Sequence, residues 1–202
     1  MLVGAGNAGR GLVLAALLTA ALTGCTEAPD KEAKPTSSAT KDDASAESGS
    51  TIGAAGSACE LPVTFDTAEK WTAEAVDGSL SQGPVSLACE VDAKPAGHIG
   101  FLRAWTADPG AAADARTLLQ AFVTADKGAS KAKYTEFTTN GLTGAEVQYV
   151  YSDEFQETPK KERALAVTTP RGSIVVHLGG LDTEEHEAML PAYELAKSTL
   201  KP

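Results

Sequence analysis

The sequence has few basic side chains, and this shortage excludes several kinds of partner. In 202 residues, 17 Lys and Arg stand against 27 Asp and Glu, which gives a formal net charge of -10. From residue 59 onward the counts are 13 basic against 21 acidic, a net charge of -8. A strongly acidic surface repels polyanions. We therefore expect no nucleic acid and no anionic lipid surface as the natural partner of this region.

A long hydrophobic run is also missing. The longest apolar stretch, residues 11–22, has twelve residues and would form about 18 Å of helix. A bilayer core needs about 20 apolar residues. Because Arg10 precedes the stretch and small residues follow it, residues 1–24 are predicted to be a signal peptide rather than a permanent span.

The end of this segment carries a specific pattern, Leu22-Thr23-Gly24-Cys25. It resembles the lipobox of bacterial lipoproteins. That resemblance implies cleavage between Gly24 and Cys25, attachment of a diacylglyceryl group (palmitate-type chains) to the Cys25 sulfur, and an extracytoplasmic protein anchored in the cell membrane. Two acyl chains suffice for stable anchoring. The alternative is an ordinary secretory signal cut near Ala21, which would leave Cys25 as a free thiol.

Cysteine is scarce, with Cys25, Cys59 and Cys89 as the full set. An odd number of cysteines in an exported protein requires an explanation. Lipidation of Cys25 supplies one, because it leaves an even pair that can oxidise outside the cytoplasm. We therefore predict a structural disulfide between Cys59 and Cys89; two buried free thiols are the alternative.

Bulky apolar side chains are nearly absent from residues 25–58, where Ile52 is the only large aliphatic one. Such a segment buries too little surface to offset the entropy of ordering it. We expect a lipidated N-terminus and a disordered linker over residues 25–58, with a typical reach of about 30 to 35 Å. Residues 59–202 are predicted to form one extracytoplasmic domain.

Periodicity predicts the elements of that domain. Alternation of apolar and polar residues indicates strands. Four single strands are predicted at 61–65, 71–76, 85–92 and 99–105. Two further pairs are spaced as hairpins, 134–139 with 146–151 and 163–168 with 173–178. A helix capped by Asp108 is predicted through 123, and a second from Asp182 to 200 with a kink or restart at Pro191. Strands in runs with interspersed helices indicate an α+β fold with a mostly antiparallel sheet flanked by helices.

Three stretches carry a resemblance to a known fold family: residues 61–66 leading to Trp71, residues 141–146, and the ending 196–201. They are similar to the PsbP-like family, whose fold also occurs in exported actinobacterial lipoproteins. The resemblance implies a central antiparallel sheet flanked by helices, in a binding or assembly module more than an enzyme. It matches no ligand motif, so it assigns no functional residue.

Catalytic and metal-binding motifs are missing. The sequence holds neither H-E-x-x-H, a Ca²⁺ loop, nor a G-x-S-x-G elbow. His186 lies among acidic residues that fit a helix N-terminus, His177 is expected to be packed in a strand, and His98 to lie in a loop. We therefore predict no catalytic residues, no metal, no cofactor and no enzyme activity.

One pattern favours a contact surface. Phe101, Arg103 and Trp105 alternate on one face of a predicted strand, and aromatic residues and Arg are enriched where partners bind; the alternative is a face covered by a helix. The expected function is a membrane-anchored, non-catalytic interaction module of the cell envelope. The chain also resembles accessory lipoproteins of the envelope-stress response, and this resemblance implies a membrane sensor kinase as the partner; another envelope protein is the alternative. The alternatives are a small-molecule or lipid carrier and an envelope hydrolase.

Overall fold

The computed structural model describes residues 46–77, 80–111, 114–154 and 158–202. The predicted signal peptide and Cys25 lie outside these residues, as does the linker up to residue 45. The strands are β1 Ser48–Ile52, β2 Phe65–Ala68, β3 Thr72–Ala75, β4 Ser81–Gln82, β5 Val85–Asp92, β6 Gly100–Ala107, β7 Ala129–Thr139, β8 Leu142–Tyr151, β9 Lys160–Thr169 and β10 Gly172–Gly180. The α-helices are α1 Ala115–Ala125 and α2 Thr183–Thr199.

Within the described residues, eight strands form one antiparallel sheet. Its order is β3-β5-β6-β10-β9-β8-β7, with β4 also paired to β5. Strands β1 and β2 form a separate antiparallel pair. The predicted α+β fold class, with a mostly antiparallel sheet and flanking helices, is confirmed.

Helix α2 and the β1–β2 pair cover one face of the sheet, which we call the first face. Its core includes Leu102, Ala104, Val176 and Leu178. Helix α1 packs on the opposite, second face against β8 and β9. Both helices are amphipathic elements that bury one side on the sheet, and so the sheet is hydrophobic on both faces.

The two predicted hairpins are confirmed, and their turns are tighter than expected. Asn140 and Gly141 alone connect β7 to β8, and both have positive φ angles, 45° and 80°. Two such residues form the type I′ turn that matches the twist of paired strands. The Asn140 side chain also donates hydrogen bonds to the carbonyls of Ser198 (2.8 Å) and Leu200 (3.0 Å), at the end of α2.

The predicted disulfide is present in the structure. Cys59 and Cys89 are joined with a Cα–Cα separation of 5.9 Å, and both residues are buried in the first-face core. The bond attaches the loop after β1 to the middle of β5. It therefore closes a loop that contains β2, β3 and β4.

Strand β5 departs from the sequence prediction at one place. Val85, Leu87, Cys89 and Val91 alternate as one face of a strand, but the register shifts between Leu87 and Cys89. Because this bulge inserts one extra residue, Val85 and Leu87 lie in the second-face core while Cys89 and Val91 lie in the first. All four side chains remain buried.

Regular structure is already present before the predicted domain boundary at residue 59. Residues 48–52, expected in the linker, pair with β2, and Ile52 is only 1 % exposed. The polar side chains of this segment form hydrogen bonds rather than packing in a core. The hydroxyls of Ser48 and Thr51 donate to the Asp66 carboxylate, at 3.0 and 2.6 Å. Strand pairing satisfies the backbone, which composition alone does not reveal.

Three further details differ from the predictions. Helix α1 begins later than expected, with Asp114 as its cap, whereas the Asp108 carboxylate accepts a hydrogen bond from Ser86. Residues 61–64 show the predicted alternating burial, but the regular strand starts only at Phe65. Helix α2, capped by Asp182 as predicted, continues through Pro191 without a restart.

Candidate functional site

The short helix α1 leaves part of the second face uncovered. With 11 residues it buries Leu118, Leu119, Phe122 and Val123 against the central strands. The other ends of β6, β9 and β10 extend past it. These ends carry polar and aromatic side chains, whereas Val147, Ala164, Ala166 and Val175 lie in the apolar core beneath the helix.

An open cleft of about 650 Å³ occupies this uncovered region. Its volume lies within the range of small-molecule pockets, about 300 to 1,000 Å³. Its floor consists of strand residues from four neighbouring strands: Phe101, Arg103, Tyr151, Lys160, Glu162, His177 and Gly179. The last residue of α1, Ala125, and the two residues that follow it, Asp126 and Lys127, form one wall.

Three exposed aliphatic side chains line the same cleft. Leu80, Ile99 and Leu181 are 55 %, 57 % and 54 % exposed, and they are the exposed large hydrophobic residues of the described part of the chain. The Leu181 N–H donates to the Ile99 carbonyl at 2.9 Å, which holds two of them side by side. Scattered apolar residues on a surface are ordinary, whereas a cluster around a concave site marks a contact surface.

A buried ionic network lies under the floor. The Glu162 carboxylate, 4 % exposed, accepts from His177 Nε2 (2.8 Å) and from Lys160 Nζ (2.9 Å). The Tyr149 hydroxyl lies 3.2 Å from the same His177 nitrogen, and Lys160 also donates to the Gly180 carbonyl at 2.7 Å. The strands place these groups together because His177 and Ala164 are cross-strand partners, with Glu162 two residues from Ala164 on the same face.

Several groups in and beneath the cleft have shifted pKa values. Burial alone would raise the pKa of Glu162, but the hydrogen bonds and charges of His177 and Lys160 outweigh burial and hold it below its usual range. Burial raises the pKa of the Asp126 carboxyl and, strongly, that of the Tyr149 phenol. Glu162 is therefore ionised at neutral pH, and Tyr149 is protonated.

The predicted stripe of Phe101, Arg103 and Trp105 lines this cleft. Arg103 donates to Glu90 at 2.6 Å, and its guanidinium lies 4.9 Å from the centre of the Phe101 ring. Trp105 is 4 % exposed and packs edge-on against Phe122 of α1. The structure thus combines both readings of the stripe: one end is covered by a helix, and the other end is open.

The three histidines occupy different surroundings. His177 is packed and hydrogen-bonded in a strand, and His98 lies in a loop with Nδ1 3.3 Å from Glu185 Oε2, both as predicted. His186 is in the first turns of α2 but is buried, 3 % exposed, rather than part of an exposed acidic helix end. Burial lowers its pKa to about 4.

The arrangement supports binding better than catalysis. Within the described residues, the side chains that hydrogen-bond to His177 are those of Glu162 and Tyr149, and neither is an activated hydroxyl or thiol nucleophile. An ionised Glu162 has no proton to donate as a general acid, and its lowered pKa makes it a weak general base. No group of three or more His, Cys, Asp or Glu side chains among those residues is arranged to bind a metal ion.

Sequence reasoning missed most of the floor. Lys160 and Glu162 were expected to lie outside or at the edge of a strand, and Gly179 carried no signal of its own. The only available indication was that β9 and β10 were predicted as a hairpin, which brings Glu162 and His177 onto one face. The exposed Leu80 and Leu181 lie outside periodic segments, so no pattern pointed to them.

The comparisons with known proteins concern the whole domain. No curated protein sequence matches this chain. This chain is similar to the solution structure of cyanobacterial PsbP from Synechocystis sp. PCC 6803, a protein of the family that the sequence resembles. The sequence identity is 10 % and the TM-score is 0.47, and the match covers 75 % of this chain and 91 % of that chain. No α-helix in the described part of this chain is long and apolar enough to span a membrane.

A lipoprotein family matches most of the chain. Its description is "uncharacterised lipoprotein", and the match covers residues 29–200, beginning after Cys25. Membership supports the predicted membrane-anchored, extracytoplasmic location at the level of the family. The chain thus belongs to this family of uncharacterised lipoproteins.

Proposed function

We propose that this protein is a lipid-anchored, non-catalytic interaction module of the cell envelope, and that the cleft on the second face holds a segment of an envelope protein. The observation that carries the proposal is the position of Leu80, Ile99 and Leu181, each more than half exposed, around one concave site. Exposing three aliphatic side chains to water is unfavourable, and a partner that covers them recovers this free energy.

The charges of the floor support the same function. Arg103 is paired with Glu90, and Lys160 with Glu162, so these ions have partners before anything binds. A floor that is already paired provides orientation and specificity rather than a reactive group. Family membership and the lipobox pattern support anchoring through Cys25, which would keep the cleft within reach of membrane proteins.

Site-specific crosslinking in intact cells tests this proposal. A photo-reactive amino acid replaces Ile99 or Leu181 in the full chain, and Thr135, an exposed residue of β7 away from the cleft, serves as the matched control position. We expect a discrete crosslinked membrane protein from the two cleft positions and none from Thr135. Equal yields at all three positions would contradict the proposal.

The anchor has its own test. Cys25→Ala should release the protein from the membrane fraction and lower its mass by the acyl groups. An unaltered mass and continued recovery with the membranes would show that Cys25 is not the anchor.

A sharper form of the proposal makes the partner a membrane sensor kinase, as in accessory lipoproteins of the CseA type. Deleting the gene should then change the output of an envelope-stress promoter, with and without wall-targeting antibiotics. Unchanged output in both conditions would remove the sensor kinase and leave another envelope protein as the partner.

A small-molecule or lipid carrier is the second candidate, because the cleft volume of about 650 Å³ suits a small ligand. Two buried nitrogens beside the cleft, Trp105 Nε1 and His177 Nδ1, have no hydrogen-bond partner among the described residues. The discriminating measurement is mass spectrometry of the purified protein: a stoichiometric co-purified ligand supports a carrier, and its absence supports the interaction module.

A further inference from the structure

Gly179 makes a notch in the floor of the cleft. In the sheet it stands opposite Phe101 on β6, and it lies between His177 and the end of its own strand. A Cβ atom built on Gly179 would lie 3.4 Å from Glu162 Oε2 and 3.5 Å from His177 Cε1, which are ordinary contact distances. The missing side chain therefore leaves open space on the second face.

The other glycines of the cleft have structural reasons to be glycine. Gly83 has a positive φ of 60°, which disfavours any side chain. A Cβ on Gly100 would lie 2.5 Å from the Gly179 carbonyl oxygen, and one on Gly180 would lie 2.7 Å from the His186 nitrogen. Gly179 has neither constraint, although glycine weakens the interior of a strand. Close approach of a ligand is a known reason for such a residue.

Aromatic rings stand on both sides of the notch. Phe101 lies on the β6 side beneath the Arg103 guanidinium, and Tyr151 lies on the β8 side with Lys160 Nζ 5.4 Å from its ring centre. Because each ring already has a cation on it, another cation would meet repulsion from Arg103 and Lys160. A neutral, bulky apolar side chain fits between them and extends the contact with Leu181 and Ile99.

The border of the cleft is acidic. Asp126 and Asp153 line it, and the Glu185 carboxylate lies 3.3 Å from the Ile99 nitrogen. The lining itself carries three acidic side chains, Asp126, Asp153 and Glu162, and three basic ones, Arg103, Lys127 and Lys160. The acidic excess comes from two neighbours of the lining, Glu185 beside Ile99 and Glu90, which pairs with Arg103. The basic residues of a complementary partner should therefore flank its apolar side chain rather than enter the notch.

We propose that the Gly179 notch receives one bulky apolar side chain of a polypeptide segment, and that basic residues flank this side chain in the partner. The inference rests on the proposed function, since it names the chemistry of the segment bound in the same cleft. Gly179 is its specificity-determining residue: any larger side chain at this position occupies the space of the anchor.

Isoleucine supplies a direct probe. The chain has three isoleucines, Ile52, Ile99 and Ile174. Ile99 is 57 % exposed at the cleft, whereas Ile52 and Ile174 are 1 % and 0 % exposed in the first-face core. In the full chain, held in nanodiscs of neutral phosphatidylcholine and labelled at isoleucine methyl groups, the Ile99 signal reports binding and the other two serve as internal controls.

Three capped peptides provide the ligands: Lys-Gly-Phe-Gly-Lys, the same peptide with Glu for Lys, and the same with Gly for Phe. We expect the first to shift the Ile99 signal saturably without moving Ile52 or Ile174. The Glu-flanked peptide should bind at least about threefold more weakly at low salt, and the difference should shrink at high salt. The Gly-centred peptide should not bind measurably.

Substitutions at Gly179 complete the test. Affinity for the Lys-flanked Phe peptide should fall stepwise through Gly179→Ala, Gly179→Val and Gly179→Leu, by at least about tenfold at the last, while Thr135→Leu on the distant β7 leaves it unchanged. Gly179→Ala adds only ordinary contacts, so it should fold even if the larger variants do not.

The outcomes separate this inference from the proposed function. Wild-type affinity in a folded Gly179→Leu chain, or equal binding of the Phe- and Gly-centred peptides, overturns the notch assignment. If cellular crosslinks at Ile99 persist in that case, the proposed function stands without it. Specific peptide binding together with an absence of cleft crosslinks in cells supports the notch and contradicts the envelope partner.

Discussion

Reduction of the Cys59–Cys89 disulfide should destabilise the domain by an amount that the loop length determines. The bond spans a sequence separation of 30 residues. In the loop-entropy description, releasing a loop of this size costs about 3 to 4 kcal/mol at 25 °C. Both cysteines are buried in the oxidised domain, so we expect the two thiols to stay packed after reduction and little packing to be lost. For a domain of this size, about 1 kcal/mol corresponds to about 2 to 4 °C in Tm, so Tm should fall by about 6 to 16 °C.

Urea unfolding of oxidised and fully reduced protein measures this difference, followed by tryptophan fluorescence. Trp71 lies inside the closed loop and Trp105 outside it, so Trp71→Phe leaves a probe of the sheet alone. A Cys25→Ser chain, which keeps the Cys59–Cys89 pair, controls for effects of the third cysteine. Equal midpoints for the oxidised and reduced chains would refute the argument that loop closure stabilises this fold.

Three other perturbations have defined outcomes. The pKa of His186 is lowered by burial from 6.5 to about 4, so the unfolded chain binds the proton first, and stability should fall by about 3 kcal/mol as the pH drops from 6.5 to 4. Urea midpoints across this pH range should flatten in His186→Phe, and an equally steep loss in that variant would contradict this cause. Glu162→Gln removes the shared partner of His177 and Lys160 and should cost about 3 kcal/mol in unfolding free energy at pH 7; a cost below about 1 kcal/mol would mean that solvent replaces the carboxylate. Gly100→Ala places a Cβ 2.3 Å from Met189 Cε and 2.5 Å from the Gly179 carbonyl oxygen, so it should lower the free energy of unfolding by about 1 to 3 kcal/mol. Gly179→Ala makes only ordinary contacts and should cost less than about 1 kcal/mol. Thermal melts of the two variants side by side test this order.

The sequence patterns identified most of the regular elements. Strict alternation in residues 85–92 matched β5 at both ends, and the Asp182 cap located the start of α2. Local chemistry controls these features, because alternation, caps and turn residues act within a few positions of each other. The two hairpins followed for the same reason.

Features that depend on a distant partner were missed. Residues 48–52 become a strand only because β2 lies beside them, and their composition resembles a linker. Asp108 and Asp114 are both chemically able to cap a helix, and packing of α1 on β8 and β9 selects the later one. Burial of His186 likewise depends on the sheet beneath α2 rather than on its acidic neighbours.

The sequence alone determined the fold class, the cysteine pair and the family resemblance, since each depends on residue type and spacing along the chain. Only the tertiary structure decided which face each side chain occupies and where the cleft lies. The bulge in β5 sends Leu87 and Cys89 to opposite faces, and α1 is too short to cover the strands that it crosses. Both effects arise from register and relative length in three dimensions. For that reason Leu80, Ile99 and Leu181 line the same cleft as Gly179 without any shared sequence pattern.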